Sequence, residues 1–473
     1  MSFLLVPSGA IVAWSERRRY SDSTPYLFAW GQLMKNVFAA TVVLVLCVTP
    51  LNGGQDLARS VAEDYEDSLA ELFVWFHSHP ELSFRENETS SRLAEELRMA
   101  GIEVTEGVGG TGLVGMLRNG DGPLVMVRAD MDGLPLREDT GLAYASTVTQ
   151  MDITGIDQPV MHACGHDVHV TSMVGTAKQL VALRDEWSGT VMFVGQPAEE
   201  RVGGAKAMLE DGLYERFGVP DYALAFHVSA GEPAGKVMVS GGQIASSADS
   251  VDITVFGVGA HGASPHEGKD PVYMAAQIVV ALQSLVSREL APLEPGVVTV
   301  GSIHGGSKHN IIPDEVRLQL TVRADSQEAR EKLLSGIERI ALGVARTAGM
   351  PEDRLPKVEL STEGTPPTVN DDRLAARIHE AFVRDLGEDA VYENPREGMG
   401  AEDFAYFVMT SDEVPGAYFS VGGTSQTDLD AAEEGGPAVP SHHSPFFKIE
   451  PEPSVTMGVE AMTVAVLELL ATK

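Results

Sequence analysis

Three histidines, a cysteine and an aspartate fall within eight residues, His162 to His169, in the run Met161-His-Ala-Cys164-Gly-His166-Asp-Val-His169. Thiolate and imidazole are the usual borderline-soft ligands of divalent transition metals. A Cys-x-His pair across glycine can turn both donors to one point. Taken alone, such a run more often holds a buried structural cysteine among core histidines. A second feature changes the weighing. The apolar stretch Thr190–Val194 leads into Gly195-Gln-Pro-Ala-Glu199-Glu200. Proline ends the strand, and two adjacent carboxylates emerge at its carboxyl end, where open α/β sheets bind ligands. Adjacent residues point differently, so one can ligate a metal while the other works as a general base toward water. Ala225-Phe-His227 closes another apolar stretch, and Ser441-His-His443-Ser-Pro445 lies near the C-terminus. His261 and His266 sit on a loop of small residues, Gly259–His266, and Gly305–Asn310 is a second polar loop.

Elements must bring these groups together. Leu69, Leu72, Phe73 and Phe76 recur at helical spacing, and Glu88–Met99 forms a second amphipathic helix closed by Gly101. Leu113–Leu117 and Leu124–Val127 read as strands joined as a hairpin by the turn Asn119-Gly-Asp-Gly122. Val168–Leu183 reads as a helix and Thr190–Val194 as a buried strand, so the class is α/β. From about Ser246 the order becomes strand Ser250–Phe256, helix Pro271–Leu290, strands Val297–Ile303 and Glu315–Val322, helix Glu328–Ala348 and strand Val358–Leu360. This is the split βαβ order. It predicts a unit at 246–365 inserted into a larger domain made of 57–245 and 366–473. Gly107-Val-Gly-Gly-Thr-Gly112 matches the dinucleotide fingerprint, but a strand follows it where a helix is required.

With 473 residues, the chain has ample core for two or three domains. Its net charge of −34 argues against nucleic acid or an anionic membrane surface as partner. Two cysteines make neither a disulfide framework nor a four-thiolate metal site. Residues 1–56 read as an N-terminal extension. Its core is a basic start at Met34 followed by the apolar run Val37–Val48, too short to span a bilayer and suited to a signal peptide. The expectation is export with Cys47 removed and no stable membrane insertion of the mature chain. An N-terminal anchor or a cytoplasmic chain is the alternative, and Met34 is a second candidate start.

Seven motifs in order resemble the M20 metallopeptidases, within them the amidohydrolase branch of hippurate hydrolase, N-acetyl-amino-acid deacylases and plant auxin-conjugate hydrolases. They are Arg128-Ala-Asp130-Met-Asp132-Gly-Leu-Pro135, Met161–His169, Gln196–Glu200, Gly259–His266, Asn310-Ile-Ile-Pro-Asp314, Met399-Gly-Ala-Glu-Asp-Phe404 and His443-Ser-Pro445. The resemblance implies a zinc-exopeptidase-like α/β catalytic domain with an inserted ferredoxin-like lid that serves as a dimerisation surface. It implies two divalent metal ions per subunit, manganese or zinc, with cobalt or nickel also compatible. The implied ligands are Cys164 as bridge, His166, Glu200, His227 and His443. Glu199 would be the general base and Asp130 a further catalytic residue. His261, Asn310 and Arg323 would bind substrate, His261 also acting on the scissile carbonyl, and in dimeric relatives such a histidine can come from the other subunit. The implied reaction is hydrolysis of N-acyl amino acids. A dipeptidase or carboxypeptidase of the same fold is the near alternative, and a non-catalytic metal- or ligand-binding protein the remote one.

Overall fold

The computed structural model describes residues 53–396 and 398–471. The expected signal segment, Met34 and Cys47 lie outside the described residues. The first helix, Gly53–Asp64, starts inside the stretch read as N-terminal extension, so the folded body begins by residue 53 rather than 57. Gly54 explains the difference: a Cβ there would stand 2.0 Å from the carbonyl oxygen of Asp385, so the glycine lets this helix close onto the helix Asp372–Asp385.

Seven strands form the central mixed sheet. Their spatial order is Glu103–Val108, Gly112–Asn119, Gly189–Gln196, Leu124–Asp130, Tyr222–Pro233, Gly416–Thr424 and Val237–Met238. The four from Gly189–Gln196 to Gly416–Thr424 run parallel. Alternation sorts their side chains. Val125, Val127, Val191, Phe193, Leu224 and Phe226 join one apolar layer with the helices His166–Ala182 and Pro451–Leu470. Met126, Met192, Val194, Ala223 and Ala225 join the other with Met208, Phe404 and Phe407. A sheet covered on both faces needs apolar residues at consecutive positions, which is why these strands lack a polar side. Helix Pro451–Leu470 is apolar and long enough to cross a membrane, but 72% of its apolar window is buried in protein, which makes it a core helix.

The sequence expectation of a hairpin across Asn119–Gly122 is corrected. Strands Gly112–Asn119 and Leu124–Asp130 do not pair; Gly189–Gln196 lies between them, antiparallel to the first and parallel to the second. The turn itself receives the incoming strand, because Asn119 Nδ2 donates to the Trp187 carbonyl and the Thr190 amide to that of Pro123. The Gly107–Gly112 run is a tight connection between two antiparallel strands, with no helix after it. Gly109 lies so close to Met208 that a Cβ would meet its backbone nitrogen at 2.6 Å.

A four-stranded antiparallel sheet forms the second layer, in the order Gly296–Gly305, Glu315–Ala324, Ala248–Phe256, Lys357–Thr365. Helices Pro271–Ser284 and Gln327–Thr347 pack on it around Ile253, Ile278, Leu318 and Ile337. Asp270 caps the first helix through the Val272 amide, with Pro271 at its first position, and Ser326 caps the second through the Ala329 amide. Beyond the sheet, Ala260–His261 and Ile311–Ile312 pair as a small ribbon.

Candidate metal centre

The carboxyl ends of the parallel strands converge, and the loops that leave them supply the polar groups. Cys164 and His166 flank Gly165, whose φ of 89° turns the chain into the helix starting at His166. A Cβ on Gly165 would meet Val228 at 2.2 Å, so only glycine allows this turn against the neighbouring strand. After Gln196, Ala198 adopts a left-handed φ of 51° and the chain bends into the short turn Glu199–Arg201. Two buried carboxylates hold that strained bend. Glu86 Oε1 accepts from the Ala198 amide at 2.8 Å, and Asp132 accepts from the amides of Glu199 and Glu200 at 3.0 and 3.1 Å. His443 also has a positive φ, 63°, and its amide donates to the Ala163 carbonyl, tying the C-terminal loop beside Cys164.

Five side chains named in the sequence come together here. Cys164 Sγ is 3.4 Å from His227 Nε2, His166 Nε2 is 4.0 Å from Glu200 Oε1, and His443 Nε2 is 3.4 Å from Glu200 Oε2. His227 Nδ1 lies 2.7 Å from the Val228 carbonyl, which fixes the proton there and leaves Nε2 free to ligate. His442, next to His443, is engaged elsewhere: its Nε2 accepts from the Ala230 amide, and its ring packs on Phe447. His169 is also spoken for, between Asp130 Oδ1 at 2.5 Å and the Val228 amide at 2.9 Å.

These donors suit cations. Both ring nitrogens of His166 and Glu200 Oε1 are buried without a hydrogen bond, although Asp132 and Asp130 oxygens stand 3.4 and 3.7 Å from the imidazole. Such atoms need a partner. The surrounding field asks for positive charge. Burial, then Glu200, Glu199 and Asp130, push the Cys164 thiol up. Burial, then Glu402, Glu200 and Asp403, do the same to the Glu199 carboxyl. Burial opposes the charge of His166, but Asp130, Asp132 and Glu200 raise it to about 10. At Cys164 and Glu199 burial leads and the neighbouring carboxylates add to it; at His166 the carboxylates prevail over burial.

A cavity of about 880 Å³ opens on the cluster. Cys164, Glu199, Glu200, His227 and His443 line it, together with Arg323, Thr321 and Ser250 of the second sheet. Arg201, paired with Glu363, lies at its side. The described structure does not bring His261 or Asn310 to this cavity. His261 is exposed on the outer ribbon, its Nδ1 accepting from the Ala263 amide, and Asn310 holds the Gly262 amide through its carbonyl.

Asp130 stands beside His166, one of its oxygens 3.7 Å from the imidazole. It does not line the cavity, and its oxygens are held by Arg128 Nη1 at 2.6 Å and by His169. It belongs to a buried network that sequence reasoning left without roles. Arg128 also donates to Gln196 Oε1 and Glu402 Oε1, each at 2.7 Å, and Tyr418 donates to Glu402 Oε2. Asp403 takes Gln196 Nε2 at 2.6 Å and the Ala205 amide. The alternation Arg128-x-Asp130 on one strand is a readable sign of a shared face; Glu402 and Asp403 lie in the motif Met399–Phe404, but nothing local pairs that motif with Arg128.

Residues 126–439 match the model of peptidase family M20/M25/M40. Thermostable carboxypeptidase 1 of Saccharolobus solfataricus is 35% identical over 398 residues, 83% of this chain and 94% of that protein. Hippurate hydrolase of Campylobacter jejuni is 39% identical over 345 residues, 73% of this chain and 86% of that protein. Among solved structures, the YXEP protein of Bacillus subtilis, described as a dinuclear metal-binding peptidase, superposes with a TM-score of 0.68 at 28% identity. That superposition covers 86% of this chain and 100% of that one.

Proposed function

The chain belongs to peptidase family M20/M25/M40, as a hydrolase, and from that premise we propose that it cleaves the amide bond of N-acyl amino acids with two divalent metal ions. The observation that carries this reading is one cavity lined by Cys164, Glu200, His227, His443 and Glu199 together with Arg323. The first four, with His166, would hold the metal. Metal bound there supplies Lewis acidity, lowering the pKa of water and polarising the carbonyl. Glu199 takes a proton from the attacking water and returns it to the amine nitrogen as the C–N bond breaks, so water and amide become acid and amine. Its desolvated wall suits a carboxyl that must hold the proton between these steps. Arg323, whose guanidinium is partly desolvated and not engaged by a close carboxylate, offers a counter-charge for the α-carboxylate of the amino acid.

His261 and Asn310 complete the site from a second copy joined through the four-stranded layer. A monomer in sedimentation at assay concentration with full activity would sink that part. The name of the Saccharolobus relative favours a second reading, a carboxypeptidase. The deciding experiment reconstitutes the purified chain separately with Mn²⁺, Zn²⁺, Co²⁺ and Ni²⁺. Each form is assayed on hippurate, N-acetyl amino acids and dipeptides. Metal-dependent turnover with higher kcat/KM on N-acyl amino acids is expected; faster peptide cleavage would hand the assignment to the second reading.

A further inference from the structure

Behind the metal centre a second cavity of about 330 Å³ opens between the strands Tyr222–Pro233 and Gly416–Thr424 and the segment Asn394–Arg396. It shares His227, Ser229, Ile244, Arg396 and Ser420 with the main cavity, so the two spaces adjoin at a metal donor. His227 and Ser420 stand side by side in the register of the two strands. Met238, Ile244, Pro395 and Phe419 give it an apolar wall, beside the neutral polar side chains of Ser240, Gln243, Asn394 and Tyr418. One carboxylate lies in it. Glu232 is 6% exposed, and Ser420 Oγ donates to its Oε2 at 2.5 Å.

Glu232 has no ion-pair partner among the described residues. The other charged chain on the wall is Arg396, and its guanidinium is taken up by Asp325 and by Ser246. A buried carboxylate answered only by hydroxyls is an unfavourable choice for an apolar space unless something that enters the space repays it. Burial, against the hydrogen bonds of Ser420 and Ser229, pushes its carboxyl up to about 7. An entering methyl group would strand the acid. An entering ammonium would bring several donors to a group that only accepts.

We infer that this cavity is a substrate subsite whose specificity-determining residue is Glu232, and that it takes an aliphatic substituent ending in an amino group. The inference rests on the amidohydrolase reading for what the substituent is attached to. The amine can sit on the amino-acid side chain or on the acyl chain, and the geometry of His227 and Ser420 serves both.

The test compares two isosteric pairs on the Mn²⁺-loaded full chain: Nα-acetyl-lysine against N-acetyl-2-aminoheptanoic acid, and N-(5-aminopentanoyl)glycine against N-hexanoylglycine. In the wild type, kcat/KM should favour the amine in one pair by about 10- to 100-fold. Preference within the first pair places the amine on the amino-acid side, within the second on the acyl side. In Glu232→Leu, and in the isosteric Glu232→Gln should the leucine variant not fold, the ratio should fall to within about threefold. Equal use of both members in both pairs, or a ratio that these variants leave unchanged, overturns the subsite. Turnover of no N-acyl amino acid would instead sink the amidohydrolase reading. The subsite is then decided by calorimetric binding of the same four compounds, where an amine preference lost in Glu232→Gln supports it and equal affinities reject it.

Discussion

Arg128 and His166 are both fully buried at the carboxyl ends of the parallel strands, yet their polar atoms are treated in opposite ways. Arg128 gives Nε to Gln196, Nη1 to Asp130 and Nη2 to Glu402, all within 2.7 Å. His166, on the other side of Asp130, makes no hydrogen bond with either ring nitrogen. The same low dielectric surrounds both. One cluster supplies its polar groups with partners from within the protein and is a scaffold; the other leaves donor atoms unpartnered, as a site must if a cation is to complete it. Glu199 lies at the boundary, within reach of Glu402 and Asp403 behind it and of His166 and Glu200 in front.

The largest effect should come from that boundary. Glu199→Gln keeps the size of the side chain and removes its proton transfer. Turnover should fall by about 10²–10⁴-fold, while bound metal, measured by mass spectrometry, stays at the wild-type level. Cys164→Ser, which changes a donor, should do the reverse and release metal. Normal turnover in Glu199→Gln would show that the boundary residue belongs to the scaffold instead.

Arg128→Met attacks the paired cluster. It leaves Asp130, Glu402 and Asp403 buried without their cation, a loss of about 3–5 kcal/mol in unfolding free energy by urea titration. An equally stable variant would mean that the network is not what holds the strand ends in place.

These two clusters differ in how far the sequence revealed them. The Cys164–His166 pair and the Glu199–Glu200 pair are local, and the end of an apolar run marks where they emerge. Strands and helices were legible for the same reason, since Thr190–Val194 and Val168–Leu183 carry their period in a few residues. What needs pairing over distance was not. The turn at Asn119–Gly122 looked like a hairpin because nothing local says that Gly189–Gln196 will enter between its arms. Arg128 meets Glu402 across 274 positions, and burial decides that contact. His261 and Asn310 were read as site residues from their motifs, whereas one chain places them on an outer ribbon. Glu232 carried no sign at all: its contact with Ser420 joins strands 188 positions apart.

A third buried cluster sharpens the comparison, because it is paired like that of Arg128 but by a group that titrates. His77 lies between Asp167 Oδ2, 2.7 Å from its Nδ1, and Glu138 Oε1, 3.2 Å from its Nε2. Burial opposes its charge, yet the two carboxylates prevail and hold its pKa at about 9. A folded-state pKa above the unfolded value means that the folded chain binds this proton more tightly. The contribution to stability is therefore complete below the unfolded pKa of about 6.5 and is lost as pH rises through about 9. Its ceiling is about 3 kcal/mol. Thermal unfolding followed from pH 6 to pH 10 should show Tm falling across that window in the wild type. In His77→Gln, which keeps a donor but no titratable charge, Tm should start lower at pH 6 and change less across it. Parallel curves would place the Asp167–His77–Glu138 contact among neutral hydrogen bonds, and the division between self-paired and cation-seeking clusters would then rest on Arg128 alone.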